Sequence, residues 1–517
     1  MLRKILLLTI VTVLAAGPVS AKADWHKASS DHFVIYAEDS PKDLAKFAEL
    51  LERYHAAMVT VTSKKLEKPS PSNRVTIFAV GSERDVQELA GWNSKYLQGF
   101  YVPRAGGSRA FVQNVRPNGR EPDNTLITLL HEYAHHYLIS SSRFAMPRWM
   151  SEGAAEFFAS ASFQKDGRVL IGRPANHRAG ELNYADDVTV HELLDEELYA
   201  ARKSNRYDAF YGRSWLLYHY LIFSEERTGQ FQDYWVRLAK GSASPDAARA
   251  AFGDLDQLQK DLDKYLRSRR MLTYNIPGDE LPIGPITVTR LSEGMGEMMP
   301  VMIRSQRGVD QKSAQELVVD AREVAAKFPD DAGVLTALAE AEFDAGNPDA
   351  AIAAADRAIA LDPGSKNAYV QKGYALFEKA ADADDPDAAY QVAMKPFSAL
   401  NAIENDHPLP LIYYYRSFAE RGREPPENAK HALERAAELA PFDLGLAFQV
   451  AVMEAQEGRI PLARHMLMPI AHDPHGGTFA SQAELLLNAL EAAPQDQPFH
   501  DFGVMNDVVS GDDNTTE

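Results

Sequence analysis

The sequence predicts an α+β domain followed by an all-α domain of helical repeats. Up to about residue 123, segments rich in apolar and β-branched residues alternate with helix-like segments, and from there to residue 270 the pattern is almost wholly helical. A small sheet followed by a helical half is typical of the α+β class. Beyond residue 308 the composition becomes rich in Ala and Leu, and prolines recur at a regular spacing that is typical of stacked helix pairs.

Residues 1–21 are expected to be a cleaved secretory signal peptide. Arg3 and Lys4 precede an apolar run at residues 5–16, and small residues follow near Ala21. This run is much shorter than the roughly 20 residues that a transmembrane helix needs, so an uncleaved anchor is the less favoured alternative. We therefore expect an exported bacterial protein, periplasmic or secreted, with no stable membrane insertion after removal of the signal peptide.

Composition limits the chemistry available to the chain. Its 517 residues include 54 Lys and Arg against 73 Asp and Glu, for a net charge of −19. This acidity argues against nucleic acid as a partner. Cysteine is absent, which excludes disulfides, thiolate metal sites and cysteine nucleophiles. Any metal ion must be held by His, Asp or Glu.

The first domain is expected to span residues 22–272. Four strands are predicted from their apolar and β-branched content, and five helices from apolar periodicity. The strands are residues 32–36, 74–80, 99–102 and 110–115, and the helices are residues 44–61, 125–140, 148–161, 188–196 and 207–223.

Residues 273–308 are predicted to be a proline-rich connector with one strand at 286–290, and residues 309–490 to be the repeat domain. The marker prolines of this domain lie at intervals of 34, 45, 33 and 33 residues, and the long interval contains an acidic insertion at residues 382–387. The alternative is an Ala-rich bundle without repeats. Residues 491–517 carry acids but no Lys or Arg, and are predicted to be a disordered tail. The marker prolines are Pro329, Pro363, Pro408, Pro441 and Pro474.

Residues 334–363 resemble the tetratricopeptide family. Leu338, Ala339, the turn Gly346-Asn347-Pro348, Ala351, Ala358 and Pro363 fall where that family has small or turn residues. Later units keep the period but lose much of the pattern, so we expect one good repeat and about three degenerate ones. Stacked helix pairs of this kind form an extended surface that binds a protein partner.

Candidate metal ligands lie in an H-E-x-x-H motif, His131-Glu132-Tyr133-Ala134-His135. On a helix, residues four apart share a face, so the imidazoles of His131 and His135 can reach one cation. A second predicted helix presents Glu152 and Glu156 one turn apart, either of which could supply a third ligand. Two His and one Glu form a zinc site with an open position for water. Glu132 lies beside that site, where it can accept a proton from the water.

The segments HEYAHHYL and PRWMSEGAAEFF resemble the gluzincin metallopeptidases, and most closely their peptidase MA-like branch. The resemblance implies a zincin-like fold and a Zn²⁺ cofactor held by His131, His135 and Glu152. It implies Glu132 as the general base, and Glu156 as the carboxylate that supports a ligand histidine. Sixteen residues separate His135 from Glu152, fewer than in thermolysin-like enzymes, so Glu156 remains the alternative third ligand.

Tyr211 is our candidate for donating a hydrogen bond to the developing oxyanion, with Tyr207 and His219 as alternatives. His136 faces about 100° away from His135 and is expected in the core or behind the ligands. His177, like His191 and His219, has no ligand spacing. The strand at residues 110–115 is the candidate edge strand for pairing with an extended substrate.

Two hypotheses follow. The first is an exported zinc metallopeptidase that hydrolyses a peptide or protein substrate, with repeats that dock a partner or the substrate. The second is a non-catalytic, metallopeptidase-like scaffold that acts through protein binding by the repeats. Zinc content and peptide hydrolysis distinguish the two hypotheses.

Overall fold

The structure of the protein is a computed structural model that describes residues 24–64, 66–91, 97–115, 122–142, 145–203, 206–473 and 476–505. The predicted signal peptide and residues 506–517 of the predicted tail lie outside these residues. Nine strands are present in them: β1 (His26–Ser29), β2 (Phe33–Ala37), β3 (Val75–Ala79), β4 (Gly99–Val102), β5 (Arg109–Val112), β6 (Ser162–Phe163), β7 (Val169–Ile171), β8 (Tyr274–Ile276) and β9 (Thr287–Arg290).

The helices divide between the two halves of the chain. The first half contains α1 (Pro41–Thr62), α2 (Glu83–Ala90), α3 (Asn124–Ser141), α4 (Arg148–Ala159), α5 (Ala179–Tyr184), α6 (Val190–Leu194), α7 (Glu196–Ala200), α8 (Phe210–Phe223), α9 (Gln230–Ala239), α10 (Ser244–Phe252) and α11 (Leu255–Leu266). The second half contains α12 (Glu293–Arg307), α13 (Gln311–Lys327), α14 (Ala332–Asp344), α15 (Pro348–Leu361), α16 (Lys366–Ala381), α17 (Pro386–Ile403), α18 (Pro408–Ala419), α19 (Glu427–Leu439), α20 (Leu444–Gln456), α21 (Ile460–Ala471) and α22 (Thr478–Ala492).

Six strands form the main sheet in the order β4-β5-β3-β2-β1-β9. Strands β2, β3 and β5 are parallel, whereas β4 pairs with β5 in the antiparallel direction. The expectation that the strand at residues 110–115 lies at the edge is therefore wrong, because β5 is covered on both sides and β4 is the edge strand. A short turn that contains Gly106 and Gly107 connects β4 to β5, and β5 then pairs with β3 inside the sheet.

The predicted connector contributes to both halves of the protein. Its strand β9 pairs with β1 and completes the main sheet, while β8 joins β6 and β7 in a second sheet of three short strands. Helix α12 then packs Met299 and Ile303 against Phe78 and Phe111 of the main sheet. Three segments therefore tie the connector to the first half of the chain.

The second half is a stack of antiparallel helix pairs. Four pairs, α14/α15, α16/α17, α18/α19 and α20/α21, follow one another, and each helix packs mainly on its neighbours in sequence. This is the arrangement of helical repeats and not of a bundle without repeats. Pro408 begins α18, where a missing backbone N–H costs nothing, while Pro329, Pro363 and Pro441 directly follow helices. Pro474 lies outside the described residues.

The repeats fold back against the first half near the H-E-x-x-H helix. The backbone N–H of Ala105, in the β4–β5 turn, donates to Asp443 Oδ2 at 2.8 Å. The ring of Phe442 lies 4.4 Å from the ring of His136 on α3. The repeat domain therefore forms one wall next to the candidate site.

The chain beyond α22 packs against the last complete helix pair over residues 493–503. The N–H of Phe499 donates to the carbonyl of Ala455 at 2.9 Å, and the rings of Phe499 and Phe502 lie 5.4 Å apart. Both aromatic rings cover the apolar cluster of α20–α22. Residues 493–503 belong to the predicted disordered tail but are packed in the structure, because Phe499 and Phe502 supply apolar contacts that the acidic composition did not indicate.

Within the part of the chain that the structure describes, no helix combines the length and apolar content needed to cross a membrane.

Candidate metal centre

Helix α3 carries the two histidines of the H-E-x-x-H motif. Its N-terminus is capped by Asp123, whose carboxylate accepts a hydrogen bond from the N–H of Leu126 at 2.9 Å. The Nε2 atoms of His131 and His135 lie 3.1 Å apart. Both side chains are directed to the same side of the helix, as the four-residue spacing predicts.

Helix α4 brings Glu152 to the two imidazoles. Its Oε2 lies 3.2 Å from His131 Nε2 and 3.4 Å from His135 Nε2. One donor atom from each of the three residues falls within 4.8 Å of the others, and all three side chains are buried. Among the described residues, this is the one group of three or more His, Asp or Glu side chains with such spacing.

Close helix packing allows this approach. A Cβ atom added to Gly153 would lie 2.5 Å from the backbone oxygen of Ser214 on α8. No side chain fits there, so glycine lets α4 contact α8 directly. Gly153 therefore permits the close packing of α4 on α8 that positions Glu152.

We expect Gly153→Ala to destabilise the protein by about 1–3 kcal/mol, the usual cost of overpacking. The added methyl meets backbone, which cannot rotate away, so α4 and Glu152 must shift. Urea unfolding followed by circular dichroism measures the change. Gly180→Ala is the matched control, since nothing lies within 4 Å of its added Cβ. Equal stability of the two variants would contradict the packing explanation.

The electrostatics of the cluster indicate a requirement for positive charge. Burial by itself would raise the pKa of Glu152, but attraction to His135 and His131 holds that pKa far below its ordinary range. Burial would lower the pKa of His131, yet its contacts with Glu152 and Glu156 raise it to about 10. Neither oxygen of Glu152 receives an aligned hydrogen bond, although both are buried. Buried oxygens without donors are expected where a cation binds.

Glu156 lies behind the histidines. Its Oε1 is 3.1 Å from Nδ1 of His131, the ring nitrogen that faces away from Glu152. The same carboxylate accepts hydrogen bonds from His177 Nε2 and Arg178 Nη2, each at 2.5 Å. With these partners Glu156 orients His131 and does not join the three-residue cluster. Glu152 is therefore the carboxylate that this geometry offers as third ligand.

Tyr211 begins α8 at the edge of the cluster. Its ring lies 6.4 Å from the ring of His131, and the guanidinium of Arg178 lies 4.7 Å above its centre. Burial, and then the charge of Glu152, raise the pKa of Tyr211 to about 12, so the phenol is protonated at neutral pH. Neither alternative donor is as well placed. Tyr207 donates to Glu181, and His219 is buried against the carbonyl of Gly172.

Glu132 is half-buried on α3 and is not part of the three-residue cluster. Its charge acts on Tyr101 of the edge strand β4, where burial and then Glu132 raise the pKa of the phenol. The hydroxyl of Tyr101 lies 2.6 Å from Nδ1 of His136, and burial lowers the pKa of His136 to about 3. His136 is therefore part of the packing between α3, β4 and the repeats, as its position on the helix predicts.

The sequence did not indicate three residues of the site. Ser151 Oγ lies 3.2 Å from His135 Nδ1, and His177 and Arg178 hold Glu156. His177 is outside the three-residue cluster, but it contacts Glu156, which its spacing in the sequence did not indicate. His177 and Arg178 lie in a short 3-10 helix, 21 and 22 positions after Glu156, so no helical spacing relates them to it. Ser151 directly precedes the candidate ligand Glu152, and this adjacency was the one feature of the sequence that could have indicated its role.

Segments of the chain match two families. Residues 125–242, which include every candidate site residue from His131 to Tyr211, match the family described as "protein of unknown function (DUF1570)". Residues 332–377, covering α14, α15 and most of α16, match the tetratricopeptide repeat. No curated protein matches the chain.

Several solved structures are similar to the second half. A thermophilic tetratricopeptide-repeat protein from Thermus thermophilus is 13% identical over 39% of this chain and 96% of that chain, with a TM-score of 0.30. The MamA protein is 16% identical over 35% of this chain and 93% of its own, with a TM-score of 0.27. MamA from Desulfovibrio magneticus RS-1, from residue 41 to its end, is 17% identical over 38% and 98%, with a TM-score of 0.27. The family match at residues 332–377 and the stacked helix pairs show that the second half contains tetratricopeptide-like repeats, while residues 125–242 match a family whose function is unknown.

Proposed function

We propose that this protein is a zinc-dependent metallopeptidase of the gluzincin type. The observation that carries the proposal is the buried cluster of His131, His135 and Glu152, with donor atoms within 4.8 Å of one another. Two imidazoles and one carboxylate are the ligand set of many catalytic zinc sites, which keep a position open for water. The donor-free oxygens of Glu152 fit a cation as their partner.

The chain supplies the groups that peptide hydrolysis needs around such a site. Zn²⁺ held by His131, His135 and Glu152 would provide Lewis-acid chemistry, polarising a peptide carbonyl and making water more acidic. Glu132 accepts a proton from the attacking water and returns it to the leaving amine. Tyr211, whose phenol is protonated at neutral pH, donates a hydrogen bond to the oxygen that gains negative charge.

Supporting contacts fix these groups before substrate binds. Glu156 holds Nδ1 of His131, while Ser151 contacts Nδ1 of His135. Each contact leaves the Nε2 atom directed to the other ligands, and such contacts also make imidazole a better ligand. Arg178 binds Glu156 and packs on Tyr211, so one guanidinium connects the ligand support to the oxyanion donor.

Metal analysis and a peptide-hydrolysis assay test the proposal together. We expect about one zinc per purified chain, the stoichiometry of mononuclear sites, and casein hydrolysis that a chelator stops and added zinc restores. His131→Ala should lose both the zinc and the activity. His191→Ala is the matched control, because His191 is exposed and pairs with Asp256 away from the cluster. A zinc-free wild-type protein, or hydrolysis insensitive to chelator, would contradict the proposal.

The tetratricopeptide match favours protein binding as a second candidate function. In that case the first half would serve as a scaffold without hydrolytic activity, and the repeats would bind a protein partner. Zinc binding without hydrolysis of a broad peptide library would favour this alternative. Export to the periplasm remains a prediction, because the signal peptide lies outside the described residues.

A further inference from the structure

A cavity of about 340 Å³ lies between the two halves of the protein, next to the candidate metal centre. Ile139 and Ser142 at the end of α3, with Met146 and Ser151 around the start of α4, form one wall, and residues of α19, α20 and α21 form the others. Most of its lining is apolar, including Ile139, Met146, Leu444 and Leu462. Leu462 is 43% exposed, which is unusual for so apolar a side chain and places it at an open face. The volume lies in the range of ligand sites and exceeds that of one side chain.

The cavity wall includes Ser151, the residue that directly precedes the candidate metal ligand Glu152. Ser151 also contacts His135, and Ile139 and Ser142 further along α3 belong to the same wall. The seven residues from His135 to Ser142 rise by about 10 Å along a helix. An extended peptide covers that distance with about three residues. A polypeptide held at the metal centre can therefore reach the cavity with a residue a few positions from the bond that is cut.

The wall contains more negative than positive charge. Glu454 is fully buried, and its Oε1 has no hydrogen-bond partner among the described residues. Its other oxygen accepts a hydrogen bond from Arg459, which also lies 3.3 Å from Glu434. Burial, and then a hydrogen bond to Glu454 and repulsion by its charge, raise the pKa of Glu434. Two carboxylates thus share one guanidinium, and one buried oxygen lacks a donor.

A matching position elsewhere in the repeats shows that this arrangement is particular to the cavity. Glu342 lies ten positions after Ala332, the first residue of α14, just as Glu454 lies ten positions after Leu444 in α20. Arg322 donates to both oxygens of Glu342, each at 2.7 Å. The same repeat position therefore has its own arginine in α14, whereas Glu454 shares Arg459 with Glu434.

We propose that this cavity binds a segment of the polypeptide substrate that carries Arg or Lys beside a bulky apolar residue. The cationic group pairs with the carboxylates of Glu434 and Glu454 in the wall, while the aliphatic stem and the apolar neighbour contact the leucine, isoleucine and methionine walls. The proposal rests on the proposed peptidase function, because it assigns the cavity to that enzyme's substrate. It gives the repeats a direct role in substrate selection.

Peptide binding to the Glu132→Gln variant, which is expected not to hydrolyse the peptides, tests the proposal. The probes are two fluorescein-labelled decapeptides that differ at one position, one with Leu-Arg and one with Leu-Gln at the centre. By fluorescence anisotropy, we expect the Leu-Arg peptide to bind at least tenfold more tightly, which is about 1.4 kcal/mol. Adding Glu454→Gln should remove this preference, and adding Ala447→Trp, which fills the cavity, should weaken both peptides about tenfold or more.

Two further variants control for misfolding. Glu342→Gln changes the matched carboxylate in α14 and should leave both affinities unchanged. Glu438→Lys reverses an exposed charge in the cavity wall, so the substitution should not unfold the protein. It should weaken binding of the Leu-Arg peptide but not of the Leu-Gln peptide. The proposal is overturned if the cavity variants bind both peptides as the Glu132→Gln parent does, or if the parent shows no preference for Leu-Arg.

Hydrolysis by the wild-type protein separates this proposal from the one on which it rests. If wild type hydrolyses casein and the cavity variants keep the same preference, the peptidase function stands and the cavity proposal fails. If wild type hydrolyses nothing but the Leu-Arg preference depends on Glu454, the peptidase function fails and the cavity remains a site for basic peptides. Binding of a fatty acid in place of either peptide would also overturn the cavity proposal.

Discussion

The Glu132→Gln variant is expected to lose peptide hydrolysis by a factor of roughly 10² to 10⁴, the usual contribution of a general base. The substitution keeps the shape of the side chain but removes its ability to accept a proton. Glu132 is outside the three-residue cluster, so zinc content should be unchanged. Steady-state hydrolysis of a quenched fluorescent peptide and metal analysis of the same preparation measure both quantities.

The Glu88→Gln variant is the matched control for the role of Glu132. Glu88→Gln changes an exposed glutamate of α2 that pairs with Arg84, and it should retain full activity. Activity of Glu132→Gln within threefold of wild type would exclude Glu132 as the base. A joint loss of zinc and activity would instead show that Glu132 supports metal binding.

Glu152→Gln and Glu156→Gln are expected to affect zinc binding to different extents. Glu156 supports His131 from its Nδ1 side, and loss of such a support typically weakens metal binding by roughly 10- to 100-fold. Glu152 faces both Nε2 atoms and would lose the charged ligand itself, so Glu152→Gln should weaken binding by more than Glu156→Gln does. Competition with a fluorescent zinc chelator measures the two dissociation constants.

The ranking of these two variants decides which carboxylate is the ligand. Greater loss of zinc affinity in Glu156→Gln would reverse the assignment and make Glu156 the third ligand. Glu181→Gln provides the control, because Glu181 is also buried and contacts Arg178 but does not touch either histidine. Its zinc affinity should be close to that of wild type. Thermal unfolding of all three variants shows whether any loss reflects unfolding.

Local patterns predicted helices α3 and α4 well. The helix expected at residues 125–140 lies within one residue of α3 at each end, and the helix expected at residues 148–161 begins with α4 at Arg148, because apolar spacing acts within a few positions. The four-residue spacing of His131 and His135 sets their common direction, so most of the candidate cluster could be derived from helix geometry alone.

Long-range pairings could not be derived in this way. Strand β1 has only four residues, three of them polar, and it exists because β2 and β9 pair with it from both sides. The inward position of β5 depends on which way the turn after β4 directs the chain. The contacts of His177 and Arg178 with Glu156 likewise join segments that no period connects. The cavity requires the repeats to fold back on α3, and composition carries no information about that contact.

Strand β9 has a consequence for how the two halves can be separated. Because this strand comes from beyond residue 272 and pairs along all four residues of β1, a chain cut between the halves at residue 272 would leave β1 with an open edge. It would also remove α12, which covers Phe78 and Phe111 on the sheet. The folding unit of the first half therefore extends past residue 272, and a first half produced on its own must include β9 and α12.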